Sequence, residues 1–456
     1  MTVGASTVWR IRVAGNDANG AGYDATIGGA GTDYSQQDSP QLSLTDIACS
    51  NTTTVTSATG GFTSAMIGNA IRITGGGATS GYYFITARTD TNTITVDRTP
   101  GTVTNGTGKV GGAAATCQRM LNSSNATGDK VVAGNIVYIR GAGTDTPSSA
   151  DYTTSSGHIT PVSGTSTAWV KVIGENGRPR LHNNGLLFHA STYLWCENLY
   201  VYVTDATNVS YGIINTNTDA HFLNLVVNTN AAAAAVGLNT GSRGSVIGCE
   251  ILSGTLSPAS STGSGIACGY GQVFNNTVHH MRNDGISDSG LADISFNKIY
   301  NCVGNGISAS GSTVPGAIKN NTINANSGHG INIATQITIL SEVITNNIIS
   351  NNGGSGLRIA AGTAATNDLL KRYADYNCFY NNTSGNYSAI SSGANDTQGV
   401  DPQYTDPTTS FNFSLGTNLK ALGRPLYLDP GAVQRQEPAG GGGGLLINPG
   451  LSGGLR

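Results

Sequence analysis

The chain is expected to be an all-β solenoid, a coil of short strands with about three to a turn. Three observations carry this expectation. Between residues 276 and 357 the sequence writes Asn, any residue, an aliphatic, six residues, and then Gly followed by Ile or Leu, four times over. The copies run from Asn276 to Gly285-Ile286, Asn297 to Gly306-Ile307, Asn321 to Gly330-Ile331, and Asn347 to Gly356-Leu357, with Asn and Gly nine apart in each. The copies themselves are 21, 24 and 26 residues apart, so a constant unit is joined by loops of changing length, as in repeat architectures. Finally, the flanking stretches Val273-Phe274, Ile294-Ser295-Phe296 and Ile331-Asn332-Ile333 alternate with a period of two and are broken by Gly, Asn and Ser; no long 3.6-residue stripe lies between them.

The Asn-x-aliphatic half of the motif continues on both sides. Asn198, Asn224, Asn276, Asn297, Asn321, Asn347 and Asn377 fall in one register, with Cys249 filling the gap, at spacings of 21 to 30 residues. Equivalent side chains on successive turns stack at the strand spacing of about 4.8 Å. The two-residue offset predicts an inward column of Tyr200, Val226, Ile251, Val278, Ile299, Ile323, Ile349 and Phe379. At about 1.5–3 kcal/mol per buried side chain, it contributes on the order of 10–20 kcal/mol before chain entropy is subtracted. The Asn positions are read as a structural ladder: Asn tolerates turn conformations, and its amide can bond its own backbone and the next Asn. Gly before Ile supplies either a positive φ or a close approach at the following corner.

These residues resemble the right-handed parallel β-helix repeat proteins, the pectate-lyase-like superfamily that includes many phage tailspikes. The resemblance covers residues 111–435. Ala113 to Leu121 carries a short helix signal, followed by Gly128 to Val132 and Gly134 to Ile139, and looks like the capping helix and first rung that open many such coils. Asp401 to Tyr404, Phe411 to Leu415 and Asp429 to Val433 are similar to the family's closing segment. Residues 1–110 break the register. Their alternating segments at Val8 to Val13, Ala70 to Ile73, Tyr82 to Ile85 and Thr93 to Val96 predict a β-rich module that caps the coil or attaches it to something else. Residues 436–456, with Gly440 to Gly444 followed by Leu445-Leu446-Ile447, form a Gly-rich arm that is either a disordered end or an extension that docks on a partner subunit.

Composition narrows the function. Charged residues make up 11% of the chain, Gly accounts for 64 positions, and the net charge is -3. With no basic run to neutralise phosphates, a nucleic-acid partner is not expected. No stretch approaches 18 apolar residues, so no membrane span is expected, and Met1 to Gly20 lacks the pattern of a secretory signal. The seven cysteines are odd in number and lack metal-ligand spacing; they are read as small buried hydrophobes, with no metal and no cofactor expected. A β-helix with an outside-type surface and no export signal fits a virion protein made in a host cytoplasm, the alternative location being extracellular or the cell surface. The resemblance to tailspikes implies a homotrimer, other virion proteins as partners, and a cell-surface polysaccharide as a ligand.

Three candidate chemistries follow. Asn217-Thr218-Asp219, Gly328-His329-Gly330 and Arg358-Ile359 look like fragments of the polygalacturonase motif set, which implies clustered aspartates acting as general acid and base. No Asp pair follows Asp219 by one rung, however, and His329 occupies the slot filled by Asp284, Asn305 and Ser355 in sister rungs. A lyase needs a carboxylate cluster and a base: Asp284, Asp288 and Asp293 are the densest acids of the repeat, with His279, His280 and Arg282 nearby and Glu250 one rung earlier. Asp288 and Asp293 also suit turn capping in a Ser/Gly-rich corner. Stacked aromatics bind sugar rings, and Tyr193, Trp195 and Tyr211 are the candidates, although alternation turns about half of such residues inward. The expected role is therefore a structural spike, fibre or decoration protein. The alternatives are a polysaccharide lyase or glycoside hydrolase on the same fold, and an extracellular adhesin or filament subunit.

Overall fold

The computed structural model describes residues 6–433 except 30, 123–130, 143–150, 154–158, 184–186, 189–190, 204–210, 215–218, 230–235, 254–262, 291, 311–315, 334–342, 360–373 and 408–429. The expected segments Phe411 to Leu415 and 436–456 lie outside the described residues.

Short strands build the coil because each run of two to five alternating residues ends in Gly, Asn or Ser. One turn reads Tyr270–Phe274, Thr277–His279 and Ile286–Asp288, and the chain then returns to the first sheet at Asp293–Ser295. Repetition gives three long sheets of twelve, eleven and eight strands, in which every pair along the coil is parallel. This is a parallel β-helix.

Three apolar columns fill its interior. Val246, Val273, Ile294, Ile318 and Ile344 stack in the twelve-stranded sheet. Ile266, Ile286, Ile307, Ile331 and Leu357 stack in the eight-stranded sheet. The eleven-stranded sheet contributes Val201, Val227, Ile251, Val278, Ile299, Ile323, Ile349 and Phe379. Two members of the expected column are thereby corrected. Tyr200 and Val226 pair with each other and with Glu250 on the outer face, one residue out of step with the interior.

The corners explain that slip. Between the twelve- and eleven-stranded sheets one residue per turn is left-handed: Asn198, Asn224, Gly248, Asn275, Phe296, Asn320, Asn346 and Tyr376, with φ between 52° and 65°. The ladder residue follows it. Asn276, Asn297, Asn321 and Asn347 each donate the backbone N–H and side-chain Nδ2 to Oδ1 of the next ladder Asn at 2.9–3.1 Å. Each Nδ2 also reaches a carbonyl of the preceding turn, such as Val273 O at 2.8 Å from Asn297. Asn377 ends the run on the Asp396 carboxylate, its N–H 2.7 Å from Oδ1. Asn198 and Asn224 therefore belong to the left-handed column, and the ladder positions beside them are the apolar Leu199 and Leu225. The motif is ambiguous because an Asn can hold either position, and three rungs carry both, at Asn275-Asn276, Asn320-Asn321 and Asn346-Asn347.

A second ladder, Asn326, Asn352 and Asn382, repeats the pattern at the next corner after left-handed Ala325, Asn351 and Asn381. The glycines of the nine-residue motif serve close approach, not positive φ. A Cβ at Gly285, Gly306 or Gly330 would stand 2.3 Å from Cγ2 of Ile299, Ile323 or Ile349.

At the N-terminal end the sheets cross the expected boundary at residue 110. Strand Val8–Ile11 pairs in parallel with Ile136–Arg140 and is the first rung of the twelve-stranded sheet. Between them, strands from Leu42–Ser50 to Thr102–Val110 close a six-stranded antiparallel barrel. Strand Gly81–Asp90 is buried on both faces: Tyr83 and Ile85 fill the barrel, while Tyr82 and Phe84 pack against Trp9 with ring centroids at 5.0 and 6.0 Å. The barrel thus packs directly on the first rung of the coil. Helix Cys117–Leu121, with Thr116 capping Arg119 N–H, closes the same end. At the other end Val400 and Tyr404 fold over Ile348 and Cys378, Tyr404 Oη lies 3.0 Å from Ser350 Oγ, and Gly431 N–H donates to Asn346 O. All seven cysteines are buried and unpaired.

Candidate functional site

The coil disperses the acids that the sequence groups. Asp284 stands at a corner, where Oδ1 accepts from the backbone N–H and side-chain Nδ2 of Asn305 at 2.7 and 2.9 Å. The same slot recurs above it: Asn305 Oδ1 accepts from His329 N–H, and His329 Nδ1 from Ser355 N–H. His329 is therefore a member of a backbone-capping column. Asp288 aligns with Cys268, Ala309, Ile333 and Ile359, an interior position, and is 3% exposed. Its carboxylate accepts from Gly290 and Ala292 N–H at 3.0 and 3.1 Å and caps that loop. Burial pushes its pKa up to about 6, against those two bonds, and burial raises Asp284 as well. Asp293 lies on the outer face of the twelve-stranded sheet, 3.3 Å from Lys319 Nζ. Glu250 sits on the outer face of the eleven-stranded sheet. The four carboxylates thus occupy a corner, the interior and two different outer faces, and do not form the cluster that a lyase would need. Among the described residues no three His, Cys, Asp or Glu side chains group as metal ligands.

Aromatic groups, by contrast, converge. On the twelve-stranded sheet Lys171, Trp195 and His221 stack in one outward column, and Trp169 and Tyr193 precede it on successive rungs. Trp169 lies flat against His221 at 4.7 Å and 10°, Trp195 meets His221 edge-on at 5.5 Å, and Tyr193 meets Trp169 edge-on at 5.5 Å. Lys171 Nζ lies 5.7 Å from the Trp195 ring centre, and Trp195 Nε1 donates to Glu197 at 2.9 Å. Burial lowers the pKa of His221, opposed by Asp219, which favours the neutral ring at the stack. Asp219 itself pairs with Arg243 at 3.0 Å. Tyr211 belongs to the eight-stranded sheet, away from this cluster, and its side chain is outside the described residues.

Sequence reading missed Trp169, His221 and Lys171. The signal was present: Trp169 is one rung-length before Tyr193, and Lys171 before Trp195, but Trp169 and Lys171 lie one turn before Asn198, where the Asn register begins. A shallow open depression of about 330 Å³ lies at the corner between the eight- and twelve-stranded sheets, lined by Asn239, Ser242, Tyr270, Ser287 and Ser289 among others. It offers hydroxyl and amide groups around one exposed ring. Such surfaces, with flat aromatic faces and uncharged polar rims, suit ligands with apolar faces and hydroxyl edges.

No protein-family model and no curated protein matches the chain. Solved structures similar to it include pectate lyase Pel9A, at 15% identity and a TM-score of 0.46 over 70% of this chain and 96% of that one. The Dettilon tailspike protein matches at 14% identity and a TM-score of 0.30, over 59% of this chain and 56% of its own. The tailspike protein gp49 of Pseudomonas phage LKA1 matches at 11% identity and a TM-score of 0.24, over 78% and 67%. No helix among the described residues is long and apolar enough to cross a membrane.

Proposed function

We propose that the chain is a structural β-helix of a virus particle, a spike, fibre or decoration protein, whose outer face binds surface glycans. The observation that carries this reading is the contrast between the two candidate sites. Asp284 and Asp288 are engaged by backbone N–H groups and Asp293 by Lys319, whereas Trp169, Tyr193, Trp195 and His221 meet on one outward face beside Lys171. A glycoside hydrolase or lyase needs its acid and base poised about one substrate bond. A glycan platform needs flat rings in a row. The surface supports the reading, with only 11% charged residues in the chain to be desolvated when a neutral polymer lies down on it.

The test is glycan-array and calorimetric binding with Trp195→Ala and Trp169→Ala, alongside immunogold labelling of particles. Loss of at least about tenfold in affinity, about 1.4 kcal/mol, in either variant is the expected result. Unchanged binding removes the platform, and turnover of a bound polysaccharide by the wild type replaces this reading with the depolymerase one.

A further inference from the structure

On the outer face of the eleven-stranded sheet four side chains from successive turns make one line of contacts. Glu250 Oε1 lies 3.2 Å from His279 Nε2, His279 Nδ1 lies 2.7 Å from His280 Nδ1, and His280 Nε2 lies 3.3 Å from Asn301 Nδ2. The roles along this line are set by its two ends. The Asn301 amide can only donate through Nδ2, so His280 Nε2 accepts and its proton is on Nδ1. That proton points at His279 Nδ1, which accepts, leaving the His279 proton on Nε2 and directed at the Glu250 carboxylate. Both imidazoles are neutral in this arrangement, and these three hydrogen bonds run the same way. Tyr300 holds the His279 ring in place, stacked at 4.9 Å and 4°.

We propose that Glu250, His279, His280 and Asn301 form a proton-operated latch between turns of the coil, in which one proton taken up from solvent reverses the His280 end and frees it from Asn301. The arriving proton binds His280 Nε2. The Nδ1 proton of His280 crosses to His279 Nδ1, and His279 becomes an imidazolium held by the Glu250 carboxylate. One neutral bond, from Asn301 to His280, is lost; the bond from His279 to Glu250 becomes charge-assisted. In the acid form His280 Nε2 is a donor where it was an acceptor.

The groups around the array fit this sense. Glu250 reaches it from strand Glu250–Leu252 with its pKa lowered by the His279 bond, against burial, and with a further contribution from Arg178. Burial lowers His280, and the neighbouring His279 lowers it further, so the two rings do not both charge together. Tyr300, from strand Lys298–Tyr300, is raised by burial and then by Glu250 and stays neutral. Lys298 stands two strands along in the outward column of Glu250, and Arg282 follows His280 by two residues.

Nitrogen NMR of the full chain labelled in histidine tests this. At pH 8 the expected tautomers are Nε2–H for His279 and Nδ1–H for His280, with both rings shifting together on acidification and the Asn301 amide losing its partner at the same midpoint. Glu250→Gln should lower that midpoint by about one pH unit. An Nε2–H tautomer of His280 at pH 8, separate midpoints for the two rings, or an unmoved midpoint in Glu250→Gln would overturn the latch. Should the variant fail to fold, the wild-type tautomers decide alone.

Discussion

Asp288 shows how much a residue's direction matters more than its type. It reads as a catalytic acid in sequence, yet strand alternation aims it inward with Cys268 and Ala309, and two backbone N–H groups receive it. Its folded pKa is raised from 3.8 to about 6. The stabilisation linked to its protonation is therefore fully present below about pH 3.8 and lost as pH rises through about 6, by about 3 kcal/mol at 1.36 kcal/mol per unit. Burial-lowered His221, His280 and His329 act in the opposite sense, losing stability as pH falls below about 6.5. The expected outcome, read as the difference between wild type and Asp288→Asn in urea unfolding from pH 4 to 7.5, is that this slope disappears in the variant. A wild-type slope preserved in Asp288→Asn counts against the assignment.

At the scale of the element, the Asn ladder converts a run of corners into a polar spine. Each buried ladder Asn supplies acceptor and donors to two neighbours, so removing one leaves groups of the adjacent rung unpaired in the interior. Asn321→Ala would orphan the N–H of Asn297, leave its Nδ2 with Val273 O alone, and take one of two donors from Asn347 Oδ1 and the side-chain donor from Ile294 O, at a cost of about 3–5 kcal/mol by the usual penalty per unsatisfied group. Equilibrium denaturation with the wild type beside it checks this, and a loss under about 1 kcal/mol would mean that water replaces the ladder. Much of the fold was legible because the Asn-to-Gly interval is a corner-to-corner distance, the same on every turn. It also identified His329 as a slot residue. What it could not resolve is whether a lone Asn at a corner is the left-handed residue or the ladder residue one position later; hence the slip at Asn198 and Asn224, which are left-handed and followed by Leu199 and Leu225. The dispersal of the acids was equally hidden, because it depends on the face each strand presents. The aromatic cluster begins at Trp169, one turn before the Asn register starts at Asn198.

For the molecule as a whole, the barrel and the coil share a wall. Tyr82 and Phe84 belong to a barrel strand but pack with Trp9 of the first rung. Phe84→Ala should cost about 3–5 kcal/mol. In hydrogen exchange, protection should fall together in Val8–Ile11 and Gly81–Asp90 while the rungs from Thr277–His279 to Ile348–Ser350 keep theirs, since a repeat coil couples only near neighbours. Equal loss along the coil would contradict that.

The pairing of Val8 with Ile136 sets an order of assembly. Strand Val8–Ile11 is synthesised before the barrel, yet its parallel neighbour Ile136–Arg140 follows only after the whole barrel. Long-range pairing of this kind is slow because the intervening chain must first be closed into a loop. Folding the barrel shortens that search by bringing the ends of its own segment together. A nascent chain would therefore carry a finished barrel clasping a single waiting strand, a template onto which later turns wind one at a time toward the C-terminus.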